Sequence, residues 1–357
     1  MPNRVCASAV VLVLVLAGLG WPRSSFGQDK SEEGGGFRSQ VDLVSVYFTV
    51  RDEKKRLVSD LAQDSFSVSE DGQPQAVKFF AHHSDVILNV GVLLDTASNM
   101  SWILGEEAQA SKVFLRRVVR RQDLGFVVSY GSRVETVQLP TSDPALLSHA
   151  AESIASGAAI GLPEQSSAAP SIWSGGTVGI NGRQPLDPNR ESHLYDAIRV
   201  STHRHLVGEV GRKAIVIVAL SGDSKSESTM EDALEALLEN DVIAYVLQIY
   251  DGSKRDNCDV LHIYKKDSSG EPVLKKLAEA TGGRMLEVRG MDKLEDALDE
   301  ISDELHHQYS LGYYPENKNW DGKFRKIQIS AGEKGLKVHA RKGYYAKQQA
   351  ASVAVTQ

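Results

Sequence analysis

Hydrophobic and polar positions alternate in this chain in two different rhythms. Leu88 to Leu94 is apolar or small apart from Asn89, the pattern of a strand buried on both faces of a parallel sheet. The run stops at Asp95, and a polar loop follows. Ile103, Ala110, Val113, Phe114 and Val118 then recur at helical spacing and predict an amphipathic helix over 103–121. Further strands are expected at 124–130, 212–220, 242–249 and 284–288, with an edge strand at 133–139. Helices are expected at 144–155, 192–205, 230–240, 273–281 and 293–307. The last carries Leu294, Ala297, Leu298, Ile301 and Leu305 on one face, and Gly282 and Gly283 close the one before it. Strands alternating with helices require right-handed crossovers, so the expected fold class is α/β, a doubly wound and mostly parallel, Rossmann-like sheet.

The flanks keep a shorter, two-residue rhythm. Val41 to Val50 reads as a strand. Phe66 and Val68 alternate with Ser65, Ser67 and Ser69, Glu70 to Gly72 is a hairpin turn, and 76–80 is the expected return strand. This module is too small to bury much core by itself. Near the other end, 309–314, 324–331 and 336–345 are β-like runs separated by turns, and they are expected to complete a small β-sandwich with the first module. The chain therefore divides into a signal peptide (1–27), a linker (28–40), an N-terminal β module (41–85), an α/β domain (86–308) with an insert loop (156–191), C-terminal strands (309–346) and a disordered tail (347–357).

The start of the chain bears on location. Arg4 precedes an apolar run from Val5 to Leu19, and small residues at Ser25 and Gly27 suit a signal peptidase, so cleavage is expected after Gly27. The run is short of the ~20 residues that span a bilayer, so no stable membrane span is expected after cleavage. The expected location is secreted, periplasmic or cell envelope. Of the two cysteines, only Cys258 lies beyond that segment, and a lone thiol forms no internal disulfide. Net charge is −7, with no global basic field, so no nucleic-acid partner is expected.

Candidate chemistry centres on Asp95. An acidic residue at the carboxyl end of a central parallel strand sits where open α/β sheets bind ligands. Carboxylates beside small hydroxyl or amide side chains also hold hard cations, although an Asp in this place equally caps the next helix. The glycine-rich stretch SGGTVGING follows no strand pattern and lacks the phosphate-loop Lys, so it reads as an inserted surface loop. His82-His83, His203/His205 and His306-His307 lack Cys or acidic neighbours at ligand spacing. Ser98 has no G-x-S-x-G elbow around it. Tyr313, Tyr314, Tyr344 and Tyr345 read as sandwich packing.

Several blocks carry a family resemblance. GVLLDTASNM is similar to the first metal-site block of von Willebrand factor type A (VWA) domains, a strand ending in Asp-x-Ser-x-Ser. SHLYDAI resembles the block that begins with that family's metal-binding Thr, and IVIVALSGD the strand ending in its last metal-site Asp. EDGQPQAVKFF, LAEATGGR, QYSLGYYPENKNWDGKFRKIQIS and KVHARKGYYA resemble the exported bacterial group called VWFA-related. The resemblance implies a metal-ion-dependent adhesion site, in which Asp and Ser side chains hold a divalent cation and a partner's carboxylate completes its shell.

Carried over by position, Asp95 matches the first Asp and Ser192 the Thr. Ala97 replaces the first Ser and Asn99 the second. Gly222 occupies the final Asp position, with Asp223 one residue late. The implied metal residues are Asp95, Asn99, Ser192 and Asp223, a degenerate set, with Ser98, Ser101 and Ser221 as partner-binding residues. The implied cofactor is none, or weakly bound Mg2+. The expected function is an exported, non-enzymatic interaction or adhesion protein that binds a protein partner of the envelope or extracellular matrix through the loops at the carboxyl rim of the sheet. The alternatives are a hydrolase using the same polar rim and a structural subunit of an envelope assembly.

Overall fold

A computed structural model describes residues 43–82, 86–96, 101–156, 191–219, 222–250, 270–289 and 293–347. The described elements are, in order, β1 (Val44–Arg51), β2 (Phe66–Glu70), β3 (Gln73–Gln75), β4 (Val77–His82), β5 (Leu88–Asp95), α1 (Ser101–Val118), β6 (Leu124–Tyr130), β7 (Val134–Thr141) and α2 (Pro144–Ser156). They continue with α3 (Leu194–Ser201), β8 (Arg212–Ala219), α4 (Met230–Glu239), β9 (Val242–Tyr250), α5 (Glu271–Thr281), β10 (Met285–Arg289) and α6 (Leu294–His306). The last are β11 (Tyr309–Tyr313), β12 (Phe324–Ala331), β13 (Lys337–Ala340) and β14 (Gly343–Tyr345).

Six strands form the central sheet in the order β10-β9-β8-β5-β6-β7. All neighbours are parallel except β7, which closes one edge antiparallel to β6. All eight residues of β5 are buried, because helices cover both faces of the sheet. One apolar layer joins Leu88, Val90, Val92 and Leu94 to α1, α2 and α6 through Phe114, Leu147 and Ile301. The other joins Leu93, Phe126 and Ile217 to α3, α4 and α5 through Ile198, Leu237 and Leu277. Gly91 lies opposite Phe126 in the register, and a Cβ there would fall 2.2 Å from the Phe126 ring. The strand is apolar throughout, yet this position has room only for hydrogen.

The antiparallel strands form two four-stranded sheets, β13-β1-β11-β4 and β14-β12-β2-β3. Each mixes strands from both ends of the chain: Val46 lies opposite Leu311, and Val68 opposite Ile329. Their facing sides share one core, in which the Phe48 and Phe66 rings meet at 5.0 Å and Phe48 stacks on Tyr309 at 5.3 Å. Glu70 is buried there and accepts hydrogen bonds from the Tyr313 and Tyr344 hydroxyls, both at 2.9 Å. Tyr314 is instead exposed and meets Phe79 edge-on, outside this core.

Two local expectations change. The return strand of the first hairpin is β3 alone, while β4 crosses to the other sheet and pairs with β11. A strand that switches sheets at a bend makes a sandwich corner, and Ala76 is that bend. The helix expected over 192–205 is regular only through α3, and a π turn follows at Thr202–Leu206. The widened turn holds His205 with its Nε2 3.0 Å from Thr136 Oγ1 and its ring 4.9 Å from that of Phe126.

The sandwich grips the end of the central sheet where the parallel strands begin. Arg212, the first residue of β8, hydrogen-bonds Val86 O at 3.1 Å and Gln308 Oε1 at 3.2 Å. Arg341 pairs with Asp241 just ahead of β9 and bonds Ser45 O at 2.7 Å. Lys342 N bonds Ala280 O at 3.0 Å, near the end of α5. The rim where those strands end lies at the opposite pole. Among the described residues no helix is long and apolar enough to cross a membrane.

Candidate functional site

The order of the sheet places the site. From β5 the chain moves outward to β6 and β7, then returns to the other side of β5 as β8 and moves outward again to β9 and β10. Ligands of open α/β sheets lodge beyond the carboxyl ends of the strands at such a reversal. Here those strands are β5, which ends in Asp95, and β8, which leads to Gly222 and Asp223. Asp95 is completely buried. Thr96 fixes the turn after it: its N–H and its hydroxyl both donate to Tyr130 O, at 2.6 and 2.9 Å. The Tyr130 hydroxyl reaches across to Val218 O at 2.9 Å, tying β6 to β8 beneath the rim.

Ser192 and Asp223 belong to two segments zipped together. Ser192 N donates to Ser224 Oγ at 2.9 Å, and Ser192 O accepts from Ser224 N and Lys225 N at 3.1 and 3.0 Å. Asp223 accepts from Tyr195 N at 3.2 Å and Ser226 N at 3.2 Å, and also from the Ser226 hydroxyl. Asp196 accepts from Glu227 N at 2.9 Å and Ser228 N at 3.0 Å, with the His193 ring 3.4 Å away. Burial opposes ionisation of Asp196, but hydrogen bonds from the Ser228 side chain and the two N–H groups, with His193, hold its carboxyl below the usual range. His193 N bonds Gly131 O at 3.2 Å, so the zipped pair is anchored beside the end of β6.

The rim is strongly acidic in its interior. Burial first, then the charges of Asp95, Glu107 and Asp223, push the Tyr130 hydroxyl well above its ordinary pKa. Burial, and next the charge of Asp95, push the Glu107 carboxyl well above the usual carboxylate range. Burial, Asp223 and Glu231 raise the Tyr195 hydroxyl. Asp95, Glu107 and Asp223 thus act on one buried hydroxyl, although they lie on three different segments.

Of the residues singled out from the sequence, Asp95, Ser192 and Asp223 are described. Ser101 opens α1. Ala97, Ser98, Asn99, Ser221, Cys258 and nearly all of the 156–191 insert lie outside the described residues. Asp223 serves as a loop tie, since both carboxylate oxygens take hydrogen bonds from the chain. Gly222 has a steric reason to lack a side chain: a Cβ there would lie 3.0 Å from Gly270 Cα. Sequence reasoning missed Glu107 and Tyr130. Glu107 did carry a signal, because with Ile103, Ala110 and Phe114 it falls on the apolar stripe of α1.

For a hard divalent cation the donors present fit in kind. Asp95 offers a buried carboxylate, and the Ser192 Oγ is buried with no hydrogen-bond partner among the described residues. Oxygen donors of this type suit Mg2+, Mn2+ or Ca2+. Among the described residues no three His, Cys, Asp or Glu side chains form a metal-holding group.

No family model matches the chain, and no curated protein matches it. Among solved structures it is similar to a von Willebrand factor type A protein from Catenulispora acidiphila, at 12% identity over 86% of this chain and 74% of that one, with a TM-score of 0.41. It is similar to the conserved protein BatB from Bacteroides thetaiotaomicron, at 17% identity over 61% of this chain and 97% of that one, TM-score 0.40. A third is proximal thread matrix protein 1 from the mussel byssus, with a zinc-occupied MIDAS motif, at 13% identity over 63% of this chain, TM-score 0.41. The chain spans half the length of that mussel protein. With five parallel strands, one antiparallel edge and Asp95 at the reversal of strand order, the chain has a doubly wound, mostly parallel α/β fold, and its sequence blocks resemble those of von Willebrand factor type A domains.

Proposed function

We propose that this chain is an exported interaction protein that binds a protein partner at the carboxyl rim of its central sheet, in the envelope or the extracellular matrix. Its metal-ion-dependent adhesion site is degenerate, and Asp95, Asn99, Ser192 and Asp223 are its remaining oxygen-bearing positions. The observation that carries this reading is the polarity of the assembly. The sandwich holds the end where the parallel strands begin, while the zipped segments of Ser192 and Asp223 stand at the opposite pole, beside Asp95. A hydrogen-bonded rim of this kind presents exposed groups, among them Lys225 and Glu227, with little ordering left to do on binding.

The test is capture of partners from envelope extract by the mature chain, compared with two variants. The rim variant reverses Lys225 and Glu227 (Lys225→Glu, Glu227→Lys). The control reverses Lys78 (Lys78→Glu), which is exposed on β4 of the sandwich. A partner lost by the rim variant and kept by the control supports the reading. Equal capture by all three, or saturable hydrolytic turnover abolished by Asp95→Ala, overturns it.

A further inference from the structure

The α1 helix brings to the rim a carboxylate that the family's site does not use. Glu107 is 1% exposed, and among the described residues neither of its carboxylate oxygens has a hydrogen-bond partner. Asp95 is fully buried as well, and among the described residues no cationic side chain acts on Glu107. Leaving a buried carboxylate without donors is costly, and such a group in a native structure asks for an unseen ion or proton. Ser192 supplies a separate observation from another segment: 1% exposed, its hydroxyl too is without a partner among the described residues.

The placement is a consequence of the helix. α1 begins at the rim, six residues after Asp95. Helical side chains lean toward the helix N-terminus, so Glu107 leans back toward the end of β5. Its carboxylate joins Asp95 and Asp223 in acting on the Tyr130 hydroxyl. Two carboxylates balance the charge of one divalent cation, which removes the penalty of burying either of them alone.

We propose that Glu107 is a ligand of a divalent cation of the Mg2+ and Mn2+ class, held together with Asp95 and the Ser192 hydroxyl. On this reading the rim has been rebuilt. The side-chain oxygens missing at Ala97 and Gly222 are replaced by a carboxylate from α1. The proposal rests on the reading of the rim as the binding site, but it fails or stands separately from partner capture.

The experiment titrates MnCl2 into the mature protein by calorimetry and follows thermal unfolding with excess Mn2+ and with EDTA. The proteins compared are wild type, Glu107→Gln, Glu107→Asp and Ser192→Ala. Wild type binds one Mn2+ per chain, and its unfolding temperature rises with Mn2+ concentration by mass action. Altering a group that merely supports a metal ligand costs 10- to 100-fold in affinity, so losing the ligand itself in Glu107→Gln weakens binding by at least about tenfold. Glu107→Gln unfolds in EDTA at or above the wild-type temperature, because an amide needs no counter-charge. Glu107→Asp keeps the charge and retains more affinity than Glu107→Gln, and Ser192→Ala loses part of it.

Equal Mn2+ affinity in wild type and Glu107→Gln overturns the proposal. So does a wild type with neither Mn2+-dependent heat nor a rise in unfolding temperature, which would leave Asp95 and Glu107 sharing a proton. If Lys225→Glu with Glu227→Lys abolishes partner capture while Mn2+ binding persists, both readings stand. If Mn2+ binds but rim variants capture normally, only the functional reading falls.

Discussion

Arg51 on β1 is ion-paired with Glu304 on α6, and both side chains are nearly buried. One belongs to the sandwich and the other to the helix layer of the central sheet, so this contact fastens the two together. Arg284, just ahead of β10, pairs with the same carboxylate, and Glu300 bridges both arginines at 3.2 and 2.7 Å. Glu304→Gln leaves the nearly buried Arg51 and the half-buried Arg284 with Glu300 as their remaining counter-charge. The expected loss is about 3 kcal/mol, read as a lower urea midpoint. Replacing Arg51 and Glu304 together by Met and Leu costs less than Glu304→Gln alone, because no uncompensated partner of that pair remains.

Gly91 is a second sensitive point. Gly91→Ala drives a methyl into the Phe126 ring, which is hemmed in by His205. Overpacking of this kind costs about 1–3 kcal/mol. Denaturant unfolding of Gly91→Ala measures the loss, and the double variant with Phe126→Leu recovers part of it.

The zipped rim depends on Asp196. Asp196→Ala removes the acceptor of the Glu227 and Ser228 N–H groups, at a cost of about 1–3 kcal/mol, and speeds amide exchange at those two residues. The carboxyl is held below its unfolded value of about 3.9. Its contribution is therefore complete above that pH and is lost as the pH falls through the lower folded value. Wild-type exchange protection at Glu227 and Ser228 should decline on that acid limb.

Histidines set a separate pH dependence. Burial, and next Arg204, lower the pKa of His205. Burial also leads the lowering at His306, followed by Arg120 and Arg212, and at His339, where Glu304 opposes it and Arg51 and Arg284 add to it. Each folded state binds its proton less readily than the unfolded chain. Stability is thus fully present above about pH 6.5 and is lost as the pH falls through the folded values. Thermal midpoints at about pH 7.5 and about pH 5.5 should show this drop, and His205→Gln should reduce it.

The α/β alternation was legible because burial on both faces leaves an unbroken apolar strand, as at 88–94 and 212–219. The sheet switch at Ala76 was not legible. Whether Val77 to His82 pairs with β2 or with β11 depends on a strand more than 220 residues later in the chain. The candidate site divided in the same way. Asp95 stood out because it ends an apolar run. Glu107 was hidden because helical periodicity marks which face a residue occupies, not whether its polar atoms find partners there.

By itself the sequence determined where most of the strands and helices lie and that Asp95 ends a central strand. Those follow from local composition and spacing. Only the tertiary structure decided that Asp223 spends both carboxylate oxygens on Tyr195 and Ser226, that Gly222 abuts Gly270, and that Glu107 and the Ser192 hydroxyl are buried without partners among the described residues. Hydrogen-bond satisfaction and close approach are relations between segments distant in the chain, and no pattern along one segment encodes them.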